Sequence, residues 1–323
     1  MKTSIAVLIT YHNEQRLLTR CVESLLKQPA PPDEIWVYDD ASEIPATAFL
    51  PPEIHSRVVR GTSNKGPSFG RNFLLEKATS TFVHFHDADD WFFPEWCESV
   101  RDVARTGADA VFTELSSFVN GRLAKEGVIG LPERFAQSAD HVRFVIHHAI
   151  LPAAGTYRRQ LVAALGGYRE DVWQSEDWDF HVRLALRHPR VAAICRPLVG
   201  IDVRPESRSH KRAEVWSSQL QSIALLETEV PPEFHGDLAE AAAHASGELY
   251  RLGHHADAAR GFELAAHLGR PTFDGRPAMY RVLASLISPL FAERVAGSYR
   301  RLLPGRLRSM MRRNSTGGFA ACA

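Results

Sequence analysis

Ser4 to Thr10 reads as a first strand. Its centre, Ile5 to Ile9, is apolar without alternation, the pattern of a parallel strand covered on both faces. A polar turn follows, Tyr11-His12-Asn13-Glu14. Leu17, Leu18, Cys21, Val22, Leu25 and Leu26 then recur at helical spacing, and Pro29, Pro31 and Pro32 stop that helix. Glu34 to Tyr38 reads as a second strand ending in Asp39 and Asp40. A right-handed β-α-β crossover brings both strand ends to one edge of the sheet. Beyond Pro45, Pro51 and Pro52 lies a short strand, Arg57 to Arg60, and then a glycine-containing loop, Asn64 to Asn72, that opens a helix. Thr81 to Phe85 is an apolar, β-branched and aromatic run of strand length, and it empties into Asp87, Asp89 and Asp90.

The pattern continues with a helix from Cys97 to Arg105 and a strand from Ala110 to Phe112. A hairpin is expected around Asn120-Gly121, with loop over the rest of 115–145. Phe180, Val182, Leu184, Ala185 and Leu186 mark another helix, and Val191 to Cys195 another strand. From about Glu214 the chain is Ala-rich and helical, with a break at Pro231-Pro232. Residues 238–271 read as one helical pair, either a plain hairpin or a single tetratricopeptide-type repeat. Tyr280 to Leu303 reads as an amphipathic helix, with Leu283, Leu286, Ile287, Leu290, Phe291 and Val295 set against arginines. The expected organisation is an α/β domain over 1–212, a helical region over 213–313, and a disordered tail over 314–323.

Length and charge narrow the function classes. The 323 residues exceed one minimal domain. Lys plus Arg equals Asp plus Glu, 38 each, so no global field favours nucleic acid. The charge is uneven, because Arg300, Arg301, Arg306, Arg308, Arg312 and Arg313 follow the last acid, Glu293. That basic, amphipathic end suits the protein's own surface or an anionic membrane surface. Cys21, Cys97, Cys195 and Cys322 show no metal or disulfide spacing, as in a reducing compartment. The N-terminal apolar run is too short for a signal peptide, and no segment approaches a membrane span. The expectation is a cytoplasmic protein, at most peripheral at the inner face of the membrane.

Candidate chemistry lies where strands end. Clustered acids at a strand's carboxyl end stand where open α/β sheets bind ligands. Such acids repel unless a cation sits between them; hard oxygen ligands suit Mg²⁺ or Mn²⁺, which share substrate phosphates. The plainer alternative is an acidic turn capping the next helix. Gly66 and Gly70 with Lys65 and Arg71, at a helix start, suit an anion or nucleotide, or else form an ordinary loop. Glu176 and Asp177 precede a helix, where acids also serve as N-terminal caps.

Taken in order, Thr10-Tyr11-His12-Asn13-Glu14, Asp39-Asp40-Ala41-Ser42, Asn64 through Asn72, and His86-Asp87-Ala88-Asp89-Asp90 resemble the family 2 glycosyltransferases. The resemblance spans roughly residues 3–210. It also takes in Gly155 with Arg158 or Arg159, the turn Gly166-Gly167-Tyr168-Arg169-Glu170, and the pair Glu176-Asp177. It implies the GT-A fold, an α/β Rossmann-like sandwich with a mixed central sheet, here followed by an all-α appendage. It implies metal-dependent, inverting transfer of a sugar from a nucleoside diphosphate, UDP first, to a saccharide or other hydroxyl acceptor in polysaccharide or glycoconjugate synthesis.

The same resemblance assigns roles. Thr10 and Tyr11 line the base pocket, Glu14 meets the ribose, and Asp40 accepts from the base imide N–H, with Asn64, Gly66 and Arg71 nearby. Asp89 binds Mn²⁺ or Mg²⁺, Asp87 orients ribose or sugar and shares the metal, and Asp90 supports them. Asp177 is the base, Glu176 aids the acceptor, and Ser175 or Asp179 is structural. Relatives carry Arg-x-His-x-x-Ser-x-Ser near 202–210. Here Arg204 stands at the histidine position, which leaves His210 as the histidine candidate for the metal. Loops near 115–160 and 200–212 face the acceptor, while His147 and His148 are structural or acceptor-lining. Two rivals are weaker. A nucleotidyltransferase would show a Gly-rich basic signature after the first strand, and a non-catalytic recruiting module would not need acids at 40, 87, 89 and 177.

Overall fold

The chain alternates strand and helix through its first part, beginning with β1 (Ile5–Tyr11), α1 (Gln15–Leu26), β2 (Glu34–Asp39), β3 (Val58–Arg60), α2 (Pro67–Lys77) and β4 (Phe82–Asp87). The structure, a computed structural model, describes residues 3–125, 127, 131–204 and 207–302. Arg306, Arg308, Arg312, Arg313, Cys322 and the expected tail 314–323 lie outside the described residues. Two compact units are formed, one from Met1–His141 and Ile150–Glu206, the other from Val142–Ala149 and Ser207–Ala323.

The first unit continues with β5 (Trp91–Phe92), α3 (Trp96–Arg105), β6 (Ala110–Val119), β7 (Arg122–Lys125) and α4 (Leu131–Ala136). The chain then forms α5 (His141–His147), almost all of it in the second unit, and returns through β8 (Gly155–Arg158), α6 (Arg159–Ala164), α7 (Glu176–Ala185) and β9 (Val191–Asp202). The sheet order is β3-β2-β1-β4-β8-β6-β9-β5, with β7 paired to β6. Strands β1 to β4 are parallel, whereas β8 runs antiparallel to both β4 and β6, so the sheet is mixed. Every residue of β1 is buried, as its unbroken apolar run requires.

Two local devices seat the sheet edge. Glu34 accepts from Ser80 N at 2.7 Å, Thr79 N at 3.1 Å and Trp36 Nε1 at 2.7 Å, joining the start of β2 to the approach of β4. Burial works against this carboxylate, yet hydrogen bonds from Ser80, Trp36 and Thr79 hold its pKa below the usual value. Gly70 lets α2 lie close on the sheet. A Cβ there would stand 2.8 Å from Tyr38 Cδ1 and 2.9 Å from Thr10 Cγ2. Arg71, the next residue, is thereby brought against the sheet's edge.

Several expectations change. The strand at Ala110 runs to Val119, because its partner β9 runs on to Asp202 rather than stopping at Cys195. The hairpin at Asn120-Gly121 forms as expected, with both residues at positive φ. The expected loop over 115–145 instead contains α4 and most of α5, which cover Leu131, Phe135, Val142, Val145 and Ile146. Burying those side chains is worth more than leaving the segment open.

In the second unit, α8 (Arg212–Leu226), α9 (His235–Arg251) and α10 (His255–Leu268) pack around Trp216, Ala245, Leu249 and Ala258. His147 bonds to Asp237 Oδ1 at 2.8 Å and His148 to the Phe144 carbonyl at 2.8 Å, so both rings are held within this unit. The single helix expected from Tyr280 is two, α11 (Ala278–Leu286) and α12 (Pro289–Leu302). Pro289 supplies no N–H for a continuing helix but is accepted in a first turn.

Candidate active site

The parallel register sets Thr10 of β1 opposite Asp87 of β4, and Tyr11 opposite Asp39 of β2. The strand ends therefore meet at one edge, as the crossover rule requires. Thr10 Oγ1 donates to Asp87 Oδ1 at 3.4 Å. Tyr11 is buried with its ring edge against Phe49. The loops beyond β1 and β2 are tied by Asn13 N to Ser42 Oγ at 3.1 Å and Glu43 N to Asn13 Oδ1 at 2.8 Å. Asn13, Ala41 and Ser175 hold positive φ values of 63°, 55° and 59°. Such backbone strain in non-glycine residues persists where surrounding contacts over-determine it.

Successive strand residues face opposite ways, and the two aspartates after β2 accordingly do different work. Asp39 is fully buried and accepts from Ser42 N at 2.9 Å and Ala46 N at 3.0 Å. Asp40 accepts from Lys65 N and from Gly66 N, each at 2.8 Å. Asn64 Oδ1 also accepts from Gly66 N at 3.2 Å, and Gly66 takes φ 84° just before Pro67. Asp40 thus shapes the Asn64–Gly66 loop directly. Each carboxylate oxygen keeps a further lone pair for a ligand N–H. Beside this loop stands Trp173, more than half exposed, its ring 3.1 Å from where a Gly66 Cβ would lie.

Arg71 links the two acidic motifs. It is buried, with Nη2 donating to Asp87 Oδ1 at 2.8 Å and Nη1 to Glu176 Oε1 at 3.0 Å. Its guanidinium carbon lies 4.9 Å from the ring centroid of Tyr168, which itself stacks on Phe180. Asp177 follows Glu176 in the first turn of α7 and accepts from Trp178 N at 2.8 Å. Burial, then the Glu176 charge, push the Asp177 carboxyl up to about 7. Asp179 is fully buried and paired with Arg169 at 2.9 Å and Arg183 at 2.6 Å, which commits it to structure.

The acids after β4 are met by arginines. Arg204 Nη2 lies 2.5 Å from Asp89 Oδ2 and 2.8 Å from Glu14 Oε1. Arg20, from α1, donates to the Asp89 carbonyl at 2.5 Å and lies 3.9 Å from the Trp91 ring centroid. Asp90 Oδ1 accepts from Asp202 N at 3.2 Å. Burial, then the charges of Asp87 and Glu14, raise Asp89 to about 6. Burial and the charges of Asp89 and Asp87 raise Asp90 well above the usual range. A divalent cation would relieve that repulsion, and Asp87 and Asp89 offer it hard oxygen ligands. His210 is exposed in a turn, Arg208–His210, of the second unit. Among the described residues no group of three or more His, Cys, Asp and Glu is arranged to hold a metal. Two carboxylates fit an ion that takes the balance of its shell from phosphates and water.

Arg20 and Trp173 escaped the sequence reading. Each is a single residue in an otherwise ordinary helix or loop, with no pattern to announce it. The one available signal is indirect: a sheet edge so rich in acid has to draw cations from elsewhere.

Comparison with known proteins places these motifs in context. The family described as glycosyl transferase family 2 matches residues 6–166. An uncharacterized glycosyltransferase of Bacillus subtilis, YwdF, is 32% identical over 189 residues, covering 57% of this chain and 68% of that protein. Among solved structures, Staphylococcus aureus TarS 1-349 in complex with UDP-GlcNAc superposes with a TM-score of 0.69 at 16% identity, over 92% of each chain. The mannosyltransferase PcManGT of Pyrobaculum calidifontis, in complex with GDP-Man and Mn²⁺, gives 0.55 at 20% identity, over 95% of this chain and 83% of that one. At these identities the structural likeness speaks for the fold, which is the expected GT-A class.

Arg71→Met, which keeps bulk and removes charge, is expected to lower unfolding free energy by about 3 kcal/mol, the lower end for breaking a buried pair. The lower end applies because the Asp87 side chain is 43% exposed. The readout is the denaturant midpoint at unchanged slope. A loss below about 1 kcal/mol, the value of an exposed pair, would show that the bridge contributes little to stability.

Proposed function

The chain belongs to glycosyl transferase family 2 and is a glycosyltransferase, and from that premise we propose that it moves a sugar from a nucleoside diphosphate, UDP in the first instance, to an acceptor hydroxyl with inversion at the anomeric carbon. The observation that carries this reading is the Arg71 bridge. One guanidinium separates a donor-side acid, Asp87, from an acceptor-side acid, Glu176. The solved relatives support a nucleotide-sugar donor, one being in complex with UDP-GlcNAc and another with GDP-Man and Mn²⁺.

Thr10 and Tyr11 flank the nucleobase, Asp40 and the Asn64–Gly66 backbone receive its polar edge, and Glu14 meets the ribose. Asp89, with Asp87, holds Mn²⁺ or Mg²⁺, which when bound supplies Lewis-acid stabilisation of the departing diphosphate. Inversion in one displacement needs a base on the face opposite the diphosphate. Asp177 takes the acceptor proton there, within about 2.6–3.2 Å of the attacking oxygen. A carboxyl at about 7 is suited to that task near neutral pH. Glu176, paired with Arg71, positions the acceptor.

The acceptor is a saccharide or another hydroxyl compound of polysaccharide or glycoconjugate synthesis at the cytoplasmic face of a membrane. The surface of α11 and α12 supports that location. Among the described residues, six of the eleven exposed large hydrophobic side chains lie on these helices or the turn between them: Met279, Val282, Leu286, Ile287, Phe291 and Tyr299. Arg281 and Arg294 are exposed on the same two helices. Among the described residues no helix is long and apolar enough to cross a membrane. The arrangement therefore suits a helix pair lying in an anionic interface.

The overall reading is tested by incubating the protein with nucleoside diphosphate sugars and Mn²⁺. Release of nucleoside diphosphate is expected, with loss in chelator and recovery on adding Mn²⁺ or Mg²⁺. Full activity in chelator, or in Asp89→Ala, would remove the metal from the reading. For the base, Asp177→Asn is expected to bind nucleotide normally while losing transfer by about 10²–10⁴-fold. The deprotonated form is the active one, so wild-type transfer should fall as pH drops through about 7. A profile flat across about pH 5–8, where an ordinary carboxylate is already ionised, would move the base elsewhere. For location, cosedimentation with anionic vesicles is expected for the full chain and not for a chain ending near residue 275; equal binding by both would defeat the membrane assignment.

A further inference from the structure

Arg204 sits among acids where a divalent cation would also have to sit. It follows β9 by two residues, and its Nη2 lies 2.5 Å from Asp89 Oδ2 and 2.8 Å from Glu14 Oε1. Arg20 approaches the same turn, yet its 2.5 Å bond goes to the Asp89 backbone carbonyl rather than to the carboxylate. The Arg204 side chain is a quarter exposed, so a ligand can reach it. Its Nε is buried without a hydrogen-bond partner among the described residues.

Charge makes this arrangement self-limiting. A guanidinium and a divalent ion on one carboxylate would be close neighbours, and two cations so close repel at protein dielectric. Arg204 therefore already supplies Asp89 with a counter-charge. A diphosphate changes the balance, since it offers a planar, multiply charged acceptor suited to the guanidinium fork.

We propose that Arg204 is the resident cation of this site: it holds Asp89 and Glu14 and excludes the divalent ion until a nucleoside diphosphate draws it away, so that metal and donor bind as a strongly coupled pair. This rests on the metal-dependent, nucleoside-diphosphate reading above. Linkage makes the coupling reciprocal, so it can be read from the metal side without any turnover.

The test measures free Mn²⁺ by electron paramagnetic resonance against the full-length protein, with and without UDP or GDP. Wild type is expected to bind Mn²⁺ weakly alone, and about 5–150-fold more tightly with nucleotide, the span of ordinary site-to-site coupling. Arg204→Met should bind Mn²⁺ alone more tightly than wild type by a factor in that same span, and the gain from nucleotide should shrink accordingly. Arg204→Lys, which keeps a cation, should stay near wild type for Mn²⁺ alone. If Arg204→Met binds Mn²⁺ no better than wild type while nucleotide still recruits it, Arg204 is not the competitor and the proposal falls, with the metal-dependent reading intact. If lysine frees the site as much as methionine does, charge is not what excludes the ion, and the proposal falls likewise. If no form binds Mn²⁺ under any of these conditions, both readings are overturned.

Discussion

A guanidinium buried to about one part in a hundred of its surface cannot shed its proton, so Arg71 has to be met by carboxylates wherever the chain puts it. That requirement fixes the centre of the first unit. One acid comes from the end of β4, 16 positions after Arg71, and the other from the start of α7, 105 positions after it. Gly70 permits the approach of α2 that delivers the guanidinium, and Tyr168, stacked on Phe180, forms its apolar wall. Removing either acid would leave the buried guanidinium with one partner fewer. The bridge is therefore a packing constraint before it is a chemical one.

The same logic extends along the edge. Glu14, Asp87, Asp89 and Asp90 crowd together because parallel strands and their turns end on one side of the sheet, and burial then raises Asp89 and Asp90. Arg20 and Arg204 answer from α1 and from the chain after β9. Neither arginine shares a local segment with the acids it meets, so the edge is electrically complete only once the whole unit has folded. A site assembled in this way is pre-organised by distant elements, which limits how far its acids can drift apart when no ligand is bound.

How legible this was depends on the range of the interaction. The acids at the ends of β2 and β4 could be read because an apolar run that stops at carboxylates is a local signal, and the crossover rule then places the strand ends together. The pairing of Arg204 with Glu14 and Asp89 spans 190 and 115 positions and leaves no trace in spacing. Helices α4 and α5 were hidden because six or seven residues give a 3.6-residue period too few repeats to register. At Tyr280 the error ran the other way: apolar spacing carries across Pro289, and only the missing N–H divides one helix from the next. Glu176 and Asp177 were told apart only by family resemblance, since adjacent acids at a helix start look alike in residue pattern alone.

What tells them apart is again Arg71. Successive residues on a helix point about 100° from one another, so one guanidinium can engage the first residue of α7 and miss the second. It engages Glu176, at 3.0 Å. Asp177 receives no such partner from Arg71 at bonding distance. Burial raises it first, and the negative charge of Glu176 raises it further, to about 7. The neighbouring acid therefore acts on Asp177 as the like charge that makes a better base. The register of one helix start against one buried arginine thus sets two adjacent acids apart, Glu176 held in a salt bridge and Asp177 raised to about 7 beside it.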